Sequence, residues 1–342
     1  MTGGVKRFFE LLEQKGSIAV AVVGDVMLDR YYFGEVRRIS PEAPVPITRV
    51  QSEKEVLGGA ANVAQNLARL GCKVFVVGVT GRDDNRERLC RLLDEAGIDH
   101  EGLITANRPT TTKLRIIGGH QQMLRLDFED TGQLDARTTA KLRERLEDVL
   151  GKVQCLLVSD YAKGVCDRGI CQAGVKLAGQ FDLPVIVDPK GANWRKYAGA
   201  YCITPNVKEL GEALHTAVKN EDSPLERAAN KLRKQYNLDH IIVTRSEKGL
   251  SLVGADLVQH IPTRAQEVFD VSGAGDTVIA VLGAAVAAGL PLHEAAQLAN
   301  LAAGVAVGKL GTYAVSRGEL ATAVKKYQEE TQYMAATTRE GL

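Results

Sequence analysis

Asp270-Val-Ser-Gly-Ala-Gly-Asp276 runs directly into a small, apolar stretch from Thr277 to Gly289. The pattern predicts a flexible turn and a carboxylate at the start of a helix, where the first backbone N–H groups lack an intrahelical acceptor. Those donors, with the positive end of the helix dipole, suit an anion. Gly273 and Gly275 can take positive φ and let a phosphate approach the backbone, so Gly273, Ala274 and Gly275 form a candidate anion hole. Asp276 would repel that anion. Its position instead fits a base that takes the proton from an alcohol attacking a phosphoryl group held beside it. A glycine-rich turn with a capping aspartate is the plainer account of the same residues.

Ligands of open parallel sheets bind beyond the carboxyl ends of the strands, and several polar groups stand at such positions. Asp25 and Asp29 follow the apolar run Ile18 to Gly24, and Gly58-Gly59-Ala60-Ala61-Asn62 precedes a helical pattern. Asp188-Pro-Lys190-Gly, Thr204-Pro205-Asn206-Val-Lys-Glu209 and Thr244-Arg-Ser-Glu-Lys-Gly249 each follow a strand pattern. Carboxylates and amides suit sugar hydroxyls; glycine turns and a lysine suit phosphates. Glu209 can hold Mg²⁺ directly or through water, because hard cations take oxygen ligands. Structural alternatives stand beside these readings. Gly58-Gly59 can be a tight turn, Lys190 a surface lysine, Trp194 a packing residue, and Asn206 an N-cap with Glu209 as its capping-box partner. The chain has no GxxxxGK[ST], which excludes a P-loop, and Gly24-Asp25 does not continue as GxGxxG, which argues against a dinucleotide site.

The elements that must position these groups alternate. Buried-strand patterns at Ile18 to Gly24, Lys73 to Gly78, Cys155 to Ser159, Pro184 to Asp188, Tyr201 to Thr204 and His240 to Thr244 are separated by helical patterns. The helices fall at Ala60 to Leu70, Arg86 to Ala96, Thr138 to Leu150, Arg168 to Gly179 and Pro224 to Tyr236, with two more at Thr277 to Ala288 and His293 to Val307. This predicts an α/β fold with a mostly parallel sheet covered on both faces. Pro44 to Val50, Thr110 to Ile117 and Gln121 to Phe128 break the alternation as strands without helices, the last two joined by a Gly118-Gly119-His120 hairpin signal. Period-2 geometry puts Leu114, Ile116, Leu124, Leu126 and Phe128 on one face and Lys113, Arg115 and Arg125 on the other. Such a sheet could close over an anionic substrate and bury its apolar face against a second subunit; a solvated edge hairpin is the alternative. One domain is expected over 1–330, with lid strands within 30–56 and 108–130 and a frayed polar tail over 331–342.

Composition sets the outer limits. The charge sum of +1 gives no global field for nucleic acid or membrane, and an apolar content of 45% over 342 residues is ample for a large core. The six cysteines form no CxxC pair, and the histidines show no metal spacing, which predicts reduced thiols in a cytoplasmic protein. The amino-terminal segment has no signal-peptide core, and no apolar run is long enough to demand a bilayer.

GGAANVAQNLARLG (Gly58 to Gly71) and DVSGAGDTV (Asp270 to Val278) resemble, in order and separation, the two signatures of the ribokinase/PfkB carbohydrate kinase family. The likeness covers Ile18 to about Leu320. GDVMLDRYYFGEVRRISPEAPVPI, QQMLRLDFE, SDYAKG, DPKG, TPN and VTRSEKG are similar to one branch, the kinase half of bacterial D-glycero-β-D-manno-heptose 7-phosphate kinases. The resemblance implies a ribokinase-like fold with a small β-sheet lid, ATP and Mg²⁺, and phosphorylation of the sugar's anomeric O1 on the route to ADP-heptose for lipopolysaccharide. It makes Asp276 the base and Gly273 to Gly275 the anion hole. It puts Asn206, Val207, Lys208, Glu209, Thr244, Arg245, Ser246, Gly249 and Asn300 around ATP, with Glu209 towards Mg²⁺. Asp25, Asp29, Gly58, Gly59 and Asn62 would grip the sugar. Lys113, Arg115, Arg125 and Lys190, chosen by charge and strand alternation, are the candidates for its distal phosphate. Asp270 and the segment Gly308 to Ser316 would support a monovalent cation such as K⁺, and the lid would favour a homodimer. No HxGH-type motif follows, so a nucleotidyltransferase activity is expected to come from another protein.

Overall fold

The computed structural model describes residues 3–14, 16–119, 121–263 and 268–340, without the side chains of 333–340. After helix α1 (Gly3–Glu13) the chain enters β1 (Ala19–Gly24), whose six residues are all buried. Their side chains alternate between two cores. Val20 and Val22 point into one, and Ala19, Ala21 and Val23 into the other. A strand buried on both faces must sit at the centre of a covered sheet, and β1 does.

At Asp25 the chain leaves this sheet and makes two long antiparallel strands, β2 (Val26–Ile39) and β3 (Pro46–Gly59). It returns through α2 (Ala60–Leu70), β4 (Lys73–Thr80), α3 (Asp84–Glu95) and β5 (Asp99–Thr105). A second excursion forms the hairpin β6 (Thr112–Gly118) and β7 (Gln121–Phe128). Then come α4 (Ala136–Leu150), β8 (Cys155–Ser159), α5 (Arg168–Gln180), β9 (Val185–Asp188) and β10 (Cys202–Ile203). The remainder is α6 (Val207–Leu214), α7 (Asp222–Gln235), β11 (His240–Thr244), β12 (Leu250–Val253), β13 (Val258–Ile261), α8 (Ala274–Ala287), α9 (Leu292–Ala306) and α10 (Arg317–Glu340).

The nine-stranded main sheet has the order β13-β12-β11-β10-β9-β8-β1-β4-β5. It is parallel from β5 to β11, and β12 and β13 add an antiparallel edge. Helices α2, α8 and α9 cover one face; α4, α5 and α7 cover the other. Strand order reverses at β1. One half of the chain builds outward through β4 and β5, the other through β8 and beyond. A parallel sheet opens a crevice at such a reversal because the connections leave in opposite directions. The carboxyl ends of β1 and β8 therefore mark the place where side chains can surround a ligand.

The second sheet, β3-β2-β6-β7, stands apart. Its register places Asp29, Lys113 and Asp127 in one row and Tyr31, Arg115 and Arg125 in the next, all on one face. The opposite face carries Leu114 and Ile116 with Leu124, Leu126 and Phe128, of which the last three are exposed. The alternation expected from sequence thus holds for β6 and β7. The basic face, however, also carries acids. β2 falls largely within the 30–56 span expected to hold lid strands but was not itself delimited, and β3 starts at Pro46 and runs well beyond Val50. His120, the third residue of the hairpin signal, lies outside the described residues. The segment expected to fray is the end of α10, with helical backbone to Glu340; its Ala, Glu, Gln and Arg residues have high helix propensity.

Gly24 closes the seam between β1 and β8, where a methyl group would lie 2.0 Å from the Ser159 carbonyl oxygen. Gly24→Ala is expected to destabilise the protein by about 1–3 kcal/mol, the usual cost of overpacking. A lower urea midpoint at unchanged slope is the expected reading. An unchanged midpoint would mean that the two strands spread freely.

Candidate active site

Asp276 is the third residue of α8 and is only 4% exposed. Gly273 caps the helix with φ 78°, and a Cβ there would press on the Asn62 amide at 3.2 Å. Glycine is therefore required both by the backbone and by the close approach of α2. The α2 helix supplies Asn62, whose Nδ2 donates to Asp276 Oδ2 at 2.6 Å. The loop after β8 supplies Tyr161, whose hydroxyl donates to Asp276 Oδ1 at 2.6 Å. A second link between the helices runs from Thr277 Oγ1 to Asn66 Oδ1 at 3.1 Å.

Burial pushes the Asp276 carboxyl up to about 6; the Tyr161 and Asn62 hydrogen bonds hold it back, and the charge of Asp29 adds to the rise. Among the described residues no cation pairs with it. A carboxylate with an affinity for protons near neutrality, held by neutral donors, is suited to accept a proton during a reaction. Among the amides of the candidate anion hole, Ala274 N–H already bonds Val271 O at 3.2 Å as part of the turn.

Asp25 takes a different part from the one expected. It is 1% exposed, and its oxygens accept backbone N–H bonds from Tyr161 (2.8 Å), Lys163 (3.0 Å) and Val165 (3.0 Å). Burial, with the nearby Asp160, raises its pKa against those three bonds. With its lone pairs turned to the main chain it shapes the 160–165 loop, and a sugar hydroxyl would have to displace a backbone donor. Asn62 likewise spends its amide N–H on Asp276. Among the described residues Asp29 keeps its side chain free of backbone donors: Arg115 Nη1 donates to it at 2.8 Å, and Gly58 leaves room that a Cβ would fill, 2.7 Å from Asp29 Oδ2. Gly59, at φ 55°, would drive a Cβ to 2.4 Å from the Asp25 carbonyl oxygen.

Lys113 and Arg125, on the same face as Arg115, are also paired. Lys113 reaches Asp127 at 3.1 Å and Glu129 at 3.4 Å, while Arg125 lies on Asp127 at 2.8 Å. Lys190 is not with them. It pairs with Glu209 at 3.0 Å, beside the end of β9.

Asn206, Val207, Lys208, Thr244 and Ser246 line an open cleft of about 1060 Å³ beyond β10 and β11. Asn206 and Glu209 form the capping box expected of them: Asn206 Oδ1 accepts from Glu209 N, and Glu209 Oε2 accepts from Asn206 N. Both Glu209 oxygens are thus engaged, one by the cap and one by Lys190. An ion held here through water fits this arrangement; direct ligation would require breaking a bond. Burial and the charges of Asp276 and Glu209 raise the Asp188 carboxyl well above the usual range.

Three residues assigned to the nucleotide are turned elsewhere. The Arg245 guanidinium is 3% exposed and spent on Asp222, Asn220 and Ser251. Asn300 donates to Pro262 O at 2.8 Å, just past the end of β13. Gly249, at φ 80°, allows β12 and β13 to close, since a Cβ would sit 2.1 Å from Ile261 O. The Asp270 oxygens accept from Ser272 N (2.9 Å) and Gly311 N (3.0 Å), tying its turn to the segment after α9. Tyr161, Asn66 and Lys163 were not singled out from sequence. The position of Tyr161 just beyond a buried parallel strand was the available signal.

A profile of the pfkB family carbohydrate kinases matches residues 17–317. The chain is 47% identical over 315 residues to the bifunctional protein HldE of Methylobacillus flagellatus, covering 92% of this chain and 64% of that protein. It is 48% identical over 307 residues to the HldE protein of Salmonella dublin, covering 90% and 63%. The chain thus spans somewhat less than two thirds of the curated relatives it matches. The fold is shared with the ribokinase of Thermotoga maritima (TM-score 0.68, 22% identity, 90% of this chain and 99% of that one). It is shared also with phosphofructokinase-2 of Escherichia coli (TM-score 0.73, 18% identity, 90% and 98%). The chain belongs to the pfkB family of carbohydrate kinases and is an ATP-dependent sugar kinase.

Tyr161 lowers the proton affinity of Asp276, so its removal has a definite sign. Tyr161→Phe is expected to move the acidic limb of kcat/KM above its wild-type position near pH 6, with a larger loss of rate at pH 6 than at pH 8. A limb that stays in place would separate Tyr161 from the titrating group.

Proposed function

We propose that this pfkB-family kinase transfers the γ-phosphoryl group of ATP to the anomeric O1 of D-glycero-β-D-manno-heptose 7-phosphate, giving the 1,7-bisphosphate. The observation that carries the reaction type is the buried Asp276 carboxylate at the start of α8, held by Asn62 and Tyr161 and bearing a proton affinity near neutrality. The near-half identity to proteins named HldE, across nine tenths of this chain, supports the sugar.

In this reading Asp276 accepts the O1 proton as the hydroxyl attacks the phosphoryl group. The amides of Gly273 and Gly275, at the positive end of α8, face the charge that builds on that group. Asp29 and the Gly58-Gly59 turn orient the sugar. ATP occupies the cleft beside Asn206 and Thr244, with Lys190 and Glu209 at its phosphate end. A Mg²⁺ ion bound near Glu209 through water would neutralise phosphate charge. The 7-phosphate lies against the Arg115 and Arg125 face of the small sheet. Arg125 serves it most readily, since its pairing with Asp127 is half exposed and such pairs are worth little. We also assign to this chain a homodimer closed through the exposed Leu124, Leu126 and Phe128 face. A monovalent cation near Asp270 stays within the proposal, although both carboxylate oxygens there already accept backbone N–H groups.

A coupled ADP-release assay with heptose 7-phosphate, followed by NMR location of the new phosphate, tests the assignment. Phosphate on O1 is the expected result; turnover only with other sugars would overturn the substrate, and phosphate on another oxygen would overturn the regiochemistry. Asp276→Asn should leave ATP affinity near wild type and cut kcat by roughly 10²–10⁴-fold, the usual range for loss of a general base. Near-normal turnover would remove Asp276 from that role.

Arg125→Ala should raise KM for the sugar phosphate far more than KM for ATP. Equal increases would take Arg125 out of the sugar pocket.

A further inference from the structure

A second cavity, of about 660 Å³, lies between the starts of α3 and α4, beside the end of β5 and two strands away from β1. It shares no lining residue with the cleft beside Asn206 and Thr244. Four cations line it, Arg82, Arg108, Arg137 and Lys141, against two acids, Asp83 and Asp135. Both acids are occupied as N-caps. Asp83 accepts from Arg86 N and Thr110 N, and Asp135 from Thr138 N and Thr138 Oγ1. None of the four cations forms an ion pair with a carboxylate among the described residues. Four cations against two acids leave the lining with an excess of two positive charges, which favours an anionic ligand there. The volume exceeds that of a lone phosphate and falls within the range of small-molecule sites.

Arg108 joins this cavity to the catalytic loop. Its Nη1 donates to Lys163 O at 2.8 Å and Asp130 O at 3.2 Å, and its Nη2 to Gly132 O at 2.8 Å. Lys163 belongs to the loop whose amides hold Asp25 and whose Tyr161 holds Asp276. The knot is tight: at Gly164, φ 95°, a Cβ would lie 2.5 Å from Gly132 O and 3.3 Å from Arg108 Nη1. All three acceptors are neutral carbonyls. A phosphate competes strongly for a guanidinium held only by neutral partners, because charge-assisted bonds are the stronger ones.

We infer that the Arg82–Arg108–Arg137–Lys141 cavity binds a small organic phosphate distinct from either substrate, and that its occupant lowers turnover by drawing Arg108 off the 160–165 loop. The shared chemistry is a phosphate ester; a nucleotide and a sugar phosphate are the two sources. Binding of pyrophosphate to the full chain is measured by titration calorimetry at fixed ionic strength, beside the Arg82→Ala/Lys141→Ala variant. Both side chains are exposed, and circular dichroism checks the fold. The expected result is one binding event in the wild type that weakens about tenfold or more in the variant. Identical isotherms would overturn the site. Competition by AMP points to a nucleotide, competition by glucose 6-phosphate to a sugar phosphate, and displacement by neither would overturn the organic ligand. The coupling is read in kcat at saturating ATP and sugar: pyrophosphate should lower it several-fold in the wild type and not in the variant. Equal inhibition of both would place the effect at the catalytic site and overturn the coupling. The binding arm needs no turnover, so failure of the proposed sugar substrate leaves it intact.

Discussion

The geometry depends on keeping one negative charge dry. Asp276 sits where the dielectric is low and no cation stands beside it, so its ionised form survives only because Asn62 and Tyr161 donate to it. A lysine in their place would hold the carboxylate more firmly and remove its affinity for protons. Neutral donors keep it between the two states. Those donors must come from different parts of the chain, α2 and the loop after β8, and that fixes where both must lie. The loop is fixed in turn by a second buried acid, Asp25, through three main-chain N–H groups, and Asp160 anchors it from below through Lys196 and Tyr197. Carboxylates thus organise the site before any substrate arrives.

The small sheet obeys a different rule. In the proposed reading Lys113, Arg115 and Arg125 face a sugar phosphate, yet each holds an acid on the same face. An unpaired cluster of Lys113, Arg115 and Arg125 would repel itself and attract any passing anion. Pairing removes that penalty while leaving the contacts exchangeable. The two classes of pair exchange at different cost: Arg115 with Asp29 is largely buried, whereas Arg125 with Asp127 is half in water. A phosphate that recruits Arg125 therefore leaves Arg115 free to keep Asp29 oriented. Position on the sheet divides the labour between two residues of the same type.

The alternation of buried runs and amphipathic segments was legible because packing on both faces of a parallel sheet imposes it. Cys155–Ser159, His240–Thr244 and Ala60–Leu70 fall where the pattern puts them. The bounds of β2 were not legible because Arg30, Arg37 and Arg38 break up its apolar residues, and its outer half leans on no core. The capping box at Asn206 was legible because its chemistry is local, three residues apart. The role of Asp25 was not. Its partners lie more than 130 residues away, and nothing near it in sequence distinguishes a carboxylate that holds backbone from one that holds sugar. Arg245 misled for the same reason. A polar residue after a strand can face the ligand or turn back beneath the loop, and Asp222, on the preceding helix, with Ser251 on the next strand, decides which.

The composition of α8 resolves what would otherwise be two separate problems. The helix is buried nearly all round, between the main sheet and α2 and α9, so it cannot be amphipathic and must be made of small residues where neighbours come close. Gly283 shows how close, since a methyl group there would lie 2.6 Å from Leu157 Cδ2 on β8. That approach draws the helix down against β8 and brings its first turn to the end of the strand, within reach of Tyr161. Close packing against α2 likewise brings Asn66 to Thr277 and Asn62 to Asp276. A bulkier helix could still fill the same core by moving outward, as cores of similar volume often tolerate. It would then carry Asp276 away from both donors, leaving a buried carboxylate with neither water nor partner. Under the proposed mechanism the small-residue run after Asp276 therefore belongs to the catalytic apparatus, because only a thin helix lets the charge arrive where its hydrogen bonds are waiting.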